Sequence, residues 1–379
     1  MDMRELKNFL KETGEIVETH KEEIIEKGED FNVFSVLGME TSETKTHSAF
    51  IKALLNPIEN HYYNEKFLAL FLQEIGYDYT GENLNHVKVK TEHYLGKISK
   101  NYESGGSIDI LITFQKRKPI VIENKIYAKD QPKQLYRYSL YKGGNCTLYY
   151  LNLFGKPPSK ESLHTLTDSD FETISYNSQI LQWLEQCLCI TKTGSIVENA
   201  IKQYQILIKR LTNTMDKPLE DNLNKLIASN LEEAQYINAH YQKTVDNIRE
   251  KFRASVIEKI NLMGLEVKAS KSKPINNNFS KIWLNSELLE KLGAKFGIES
   301  FSGRGHNNGR IFIGIFDKKN GYNPLRDGDY RINKYWPIVS DIKTPDQNPL
   351  NLGSIKILVK LSSDATYFEK MVSETANQT

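Results

Sequence analysis

Two short runs of isoleucine, leucine and valine, Ser107-Ile108-Asp109-Ile110-Leu111-Ile112 and Ile120-Val121-Ile122-Glu123-Asn124-Lys125, constrain this chain more than any other feature. Both read as strands with covered faces, and the turn-like stretch Gln115 to Lys118 between them makes a hairpin. Each run also carries an acid. Side chains alternate along a strand, so Val121, Glu123 and Lys125 share one face while Ile120, Ile122 and Asn124 share the other. Burying carboxylates in such a setting is costly unless they bind a cation or pair with a base. Asp109 and Glu123 offer hard oxygen ligands for Mg2+ or Mn2+, and Lys125 offers a cation for an attacking water or for charge developing on phosphorus. Mg2+ keeps several waters and takes one or two protein carboxylates, so a sparse acidic site suits it. The plainer alternative is a pair of solvated strand-end acids, or a salt bridge with Lys125.

The surrounding pattern predicts an α/β core. Met1 to Lys27 has the spacing of an amphipathic helix, Glu43 to Leu55 forms a second helix that Pro57 stops, and Glu65 to Ile75 resumes helical spacing. A strand begins near Val87, the hairpin follows, Gln131 to Tyr141 is helical, and Thr147 to Phe154 is a further strand. Helices over Gln179 to Ile190 and Ile196 to Leu211 complete a mixed sheet flanked by helices. The boundaries expected are 1–215 for this core, 216–263 for a helical linker or hairpin, and 264–379 for a C-terminal α+β domain. A length of 379 residues suits such a division.

Fifty Lys and Arg against forty-eight Asp and Glu give a net charge of +2, which does not by itself select nucleic acid as a partner. Mean hydropathy is −0.51, and the sequence lacks an apolar run long enough to cross a bilayer. Three cysteines, Cys146, Cys187 and Cys189, form neither a disulfide framework nor a zinc pattern, so the expectation is a soluble, cytoplasmic protein without a membrane partner.

Asp109 followed by Glu123-Asn124-Lys125 resembles the PD-(D/E)XK nuclease superfamily. Within it, the chain is similar to a bacterial group with a Glu and a His-Ser pair on an early helix, a leucine-rich continuation and a Gln-rich helix after the Glu-x-Lys strand. Here these stand as Glu43-Thr44-Lys45-Thr46-His47-Ser48, Ala53-Leu54-Leu55-Asn56-Pro57, and Asp130-Gln131-Pro132-Lys133-Gln134-Leu135-Tyr136-Arg137-Tyr138. The chain departs from the pattern at Ser107, where such sequences often carry Gly or Arg. The resemblance spans about Phe31 to Pro158. It implies a restriction-endonuclease-like fold, catalytic roles for Asp109, Glu123, Lys125 and Gln134, and a metal shell of Asp109, Glu123 and Glu43. It also implies nucleic-acid contacts for His47, Gln131 and Tyr138, and the helical rule places 131, 134 and 138 on one face.

In the C-terminal part, Lys271 and Lys273 beside Phe279 and Trp283 suit a nucleic-acid backbone and a stacked base, and Arg304 lies in a Gly-rich loop. Solvated loops are the structural alternative. The function expected is Mg2+- or Mn2+-dependent endonuclease hydrolysis of nucleic acid, DNA preferred, in restriction or phage defence, as a homodimer or with a defence-complex partner. A catalytically silent binding or assembly subunit and an RNase effector are the competing readings.

Overall fold

The computed structural model describes residues 3–287, 291, 295–316 and 328–379. The chain divides into two units, Met1–Ser229 and Asn230–Thr379.

In the first unit, strands β1 (Lys88–Tyr94), β2 (Ser107–Thr113), β3 (Ile120–Lys125), β4 (Thr147–Asn152) and β5 (Glu172–Ser175) make one sheet in sequence order. The first three strands are antiparallel, while β3, β4 and β5 run parallel. Parallel neighbours require a crossover, and helix Gln134–Ser139 supplies the one between β3 and β4. The expected mixed sheet flanked by helices is therefore present.

Strand alternation sorts the core into two layers. Ile110, Ile112, Ile120, Ile122 and Leu151 join the side chains of helices Ala49–Leu55, Lys66–Glu74, Leu181–Ile190 and Ile196–Thr212. Leu111, Val121 and Tyr150 join Leu135 and Tyr138 of the crossover helix. With both layers closed, every residue of β3 is buried, Glu123, Asn124 and Lys125 included.

Two elements differ from the sequence reading. The crossover helix starts at Gln134 because Lys133 adopts φ +51°, so Gln131 precedes the helix and shares no helical face with Gln134 and Tyr138. The helix expected over Glu43 to Leu55 opens as a π-helical turn, Glu43–Ser48, capped where Ser42 Oγ accepts from the Lys45 N–H. Strand β5 was not foreseen.

The stretch 216–263 is two helices divided at Ser229 and Asn230. Lys217–Ala228 packs on the first helix, Met3–Glu26, near the ion pair of Lys27 with Asp216 (2.7 Å). Leu231–Leu262 instead contributes Phe252, Val256 and Ile260 to the core of the second unit. That unit is an antiparallel meander of β6 (Lys268–Ser272), β7 (Lys281–Asn285), β8 (Lys295–Glu299), β9 (Phe312–Phe316) and β10 (Ile338–Asp341). Helices Leu231–Leu262, Ile355–Ser363 and Ala365–Asn377 close one face of it. Among the described residues, no helix is long and apolar enough to cross a membrane.

Candidate active site

The ladder register assembles the site. Ile110 pairs with Ile122 on the antiparallel neighbours β2 and β3, so one step outward brings Asp109 across from Glu123 on a shared face. On the other side, the pairs Thr91 with Ile110 and His93 with Ile108 bracket Glu92 opposite Asp109. Lys125 follows two residues after Glu123, and its Nζ lies 2.5 Å from Glu123 Oε1. Glu123 is 1% exposed and Lys125 7%.

Burial and crowding of like charge shift these groups together. Burial, then the neighbouring Asp109 carboxylate, push Glu123 well above the usual range, and Lys125 opposes the shift. Burial raises Asp109 to about 6, while the Asn124 N–H and Lys125 restrain it. Burial works against the Lys125 ammonium, but the charges of Glu123, Asp109 and Glu43 outweigh it and raise its pKa. These are signs of carboxylates held close together in a dry place without enough positive charge.

Both Glu123 carboxylate oxygens are buried without a directed hydrogen bond, although Oε1 touches the Lys125 ammonium. Asp109 commits Oδ2 to the Asn124 N–H at 2.7 Å. Two hard carboxylates with spare oxygen sites fit a divalent cation such as Mg2+. Among the described residues, no set of three His, Cys, Asp or Glu side chains converges as a metal site.

Glu43 is half-buried beside this pair and performs a definite structural task. Its Oε1 accepts from the N–H groups of Ile126 (2.7 Å), Tyr127 (3.2 Å) and Ala128 (3.0 Å). It therefore holds the chain where β3 ends. A place in the metal shell would draw on its second oxygen.

The structure corrects two expected nucleic-acid contacts, His47 and Tyr138, which are buried, and leaves Gln131 exposed. His47 is 0% exposed, with Nδ1 3.0 Å from the Tyr204 hydroxyl and Nε2 donating to the Glu40 carbonyl (2.9 Å). Burial lowers its pKa to about 4, so it is a neutral core residue. Tyr138 is also buried, and its hydroxyl donates to the Ser107 carbonyl (2.7 Å), anchoring the start of β2. Gln131 is exposed, but its Oε1 accepts from Arg137 Nη2 (3.1 Å), away from the helical face expected for it. Gln134 is buried and turns its Oε1 back to the Gln131 N–H (3.0 Å).

In the second unit, Lys271 pairs with Ile282 on the helix-covered side of the sheet, and its Nζ lies 3.7 Å from Glu250. This separates it from Trp283, which faces the other side. Lys273 and Arg304 are exposed.

Sequence reading missed several residues that shape the site. Asn124 sits between the catalytic candidates and bonds through its backbone N–H to Asp109 and through its side chain to Ser48 and Tyr176. An amide on the isoleucine face of an apolar strand was the available signal. Arg137, also buried, donates to the carbonyls of Gly105 (2.9 Å) and Pro132 and fixes the base of the β1–β2 hairpin. Gly105 has φ +83°, and a Cβ there would come within 2.2 Å of the Lys97 carbonyl oxygen.

A five-stranded mixed sheet with an acid on one strand and Glu-x-Lys on the next is a restriction-endonuclease-like core. Residues 31–209 match the model of the PD-(D/E)XK nuclease superfamily. Its nucleases typically use divalent metals. The curated proteins and the solved structures returned no match.

Proposed function

We propose that this protein is a Mg2+-dependent endonuclease, with DNA as its preferred substrate and restriction or phage defence as its role. One observation carries the reading: Asp109, Glu123 and Lys125 share one face at the adjoining ends of β2 and β3, with Glu123 lacking a directed hydrogen bond. Glu123 and Asp109 would hold the ion, which supplies Lewis-acid activation of the phosphoryl group and of the attacking water. Lys125 orients that water through its ammonium and offsets negative charge as the phosphorus becomes pentavalent. Glu43 keeps the backbone beyond Lys125 in place. Family analogy adds a 5′-phosphate product, and double-strand cleavage would favour a homodimer with two centres. Three free cysteines suit a cytoplasmic setting.

We assign recognition to the second unit. The face of its sheet away from the helices carries Trp283 and Phe316, with Tyr335 stacked on Phe316 at 6.0 Å. Lys334 Nζ lies 5.1 Å over the Tyr335 ring and Lys295 Nζ 5.6 Å over Trp283. Aromatic rings beside exposed cations are what stacked bases and phosphates require. Lys273 and Arg304 are secondary candidates for backbone contact.

The deciding test incubates the full chain with matched single- and double-stranded DNA and RNA, in Mg2+ or in EDTA, beside Asp109→Ala and Lys125→Ala. Metal-dependent DNA cleavage lost in both variants supports the proposal. Cleavage confined to RNA makes it an RNase, and intact substrates throughout favour a silent binding subunit.

A further inference from the structure

We infer that Asn124 is a positioning residue of the nuclease centre, locked by Ser48 and Tyr176 so that β3 presents Glu123 and Lys125 in register with Asp109. The inference rests on the nuclease reading above.

The geometry begins with strand alternation. Asn124 points away from Glu123 and Lys125, into the layer of Ile120 and Ile122, and is 0% exposed. There its Nδ2 donates to Ser48 Oγ at 3.0 Å, and its Oδ1 accepts from the Tyr176 hydroxyl at 2.8 Å. Meanwhile its backbone N–H donates to Asp109 Oδ2 at 2.7 Å. A single residue thus touches one acid directly, adjoins the other acid and the lysine in sequence, and is gripped from behind.

An apolar side chain would fill this layer without desolvating an amide, so packing alone gives no reason for asparagine. What asparagine adds is direction. Two hydrogen bonds fix the rotation of the strand end, and that rotation sets where Glu123 and Lys125 emerge on the opposite face.

The π-helical turn Glu43–Ser48 makes the grip two-sided. Its first residue, Glu43, holds the N–H groups just beyond Lys125, and its last, Ser48, holds Asn124. These residues are separated by five positions, the hydrogen-bond spacing of a π turn, which brings both onto the strand end where a tighter α-turn would rotate one away. Behind Ser48, His47 is bonded to Tyr204 and Glu40 and meets the Tyr176 ring edge-on at 5.4 Å, so the turn itself is braced. The Glu-x-x-x-His-Ser segment is therefore a clamp on the catalytic strand.

Ser48→Ala and Tyr176→Phe each remove one hydroxyl from the clamp and keep the packing. The test measures Mn2+ binding by calorimetry without nucleic acid, kcat and KM for cleavage, and the urea midpoint, for wild type, both single variants and the double variant. The expected result is Mn2+ affinity and kcat each falling about tenfold in the single variants, as for groups that orient metal ligands. KM for nucleic acid should stay unchanged, and the double variant should lose less than the product of the two. Mn2+ affinity and kcat equal to wild type, with only the urea midpoint lowered, would reduce the network to ordinary core support and overturn the inference. Wild type that neither binds Mn2+ nor cleaves would instead sink the nuclease reading, and the positioning role with it.

Discussion

Glu123 lies across the β2–β3 ladder from Asp109, with the Lys125 ammonium 2.5 Å from one of its oxygens. Two carboxylates and one cation leave an excess of negative charge in a dry setting. That imbalance raises the pKa of both carboxylates and would attract a divalent ion.

Asp109→Asn should therefore stabilise the metal-free protein at pH 8 while abolishing cleavage. Burial raises the Asp109 pKa from 3.8 to about 6, so the folded state holds this proton more firmly than the unfolded chain. Its contribution is fully present below pH 3.8 and is lost as pH rises through about 6. Above that pH the substitution should gain on the order of 1–2 kcal/mol in urea melts. A variant less stable than wild type at pH 8 would contradict the crowded-charge account.

Lys125→Met should lower cleavage by at least ~100-fold and also lower the melting temperature without metal, because Glu123 loses its cation. Added Mg2+ should restore more of the melting temperature in this variant than in wild type. Equal metal responses would show that the ion and the ammonium do not serve the same carboxylate.

Much of this site is legible in the sequence because strands carry their own record. The isoleucine-rich runs, the alternation in Ile120 to Lys125 and the turn between them locate β2, β3 and the acid pair before any coordinates. Strand β5 was hidden because Glu172–Ser175 is four residues long and has a single aliphatic side chain, so its pairing with β4 supplies what its composition does not. The helical face drawn through Gln131 failed where Pro132 and the left-handed Lys133 delay the helix. The role of Asn124 is not legible in the sequence because its partners, Ser48 and Tyr176, lie 76 and 52 residues away.

Glu43→Ala should separate anchoring from metal ligation. Its Oε1 serves three successive N–H groups, of which that of Ile126 is part-buried. Loss of this acceptor should cost about 1–2 kcal/mol and speed amide hydrogen exchange at 126–128. Glu43→Gln retains an acceptor oxygen, so it should slow that exchange again while metal affinity stays reduced if the carboxylate charge matters. Full metal affinity in Glu43→Gln would assign the residue to anchoring alone.

His47 sets a pH limit on the first unit. Its ring is fully buried and lowered by that burial to about 4, against an ordinary value of 6.5. Between those values the unfolded chain takes up a proton that the folded ring refuses, so stability is complete above pH 6.5 and falls as pH drops towards 4. The loss expected is on the order of 3 kcal/mol, offset in part by the opposite trend from Asp109. Comparison with His47→Gln isolates the histidine, since glutamine keeps polar atoms near Tyr204 and Glu40 but does not titrate. The stability advantage of wild type over the variant should shrink steadily in urea melts from pH 7 to pH 4. A flat difference over that range would mean that the folded ring accepts its proton as readily as the unfolded one, and the neutral, fully enclosed histidine would have to be abandoned.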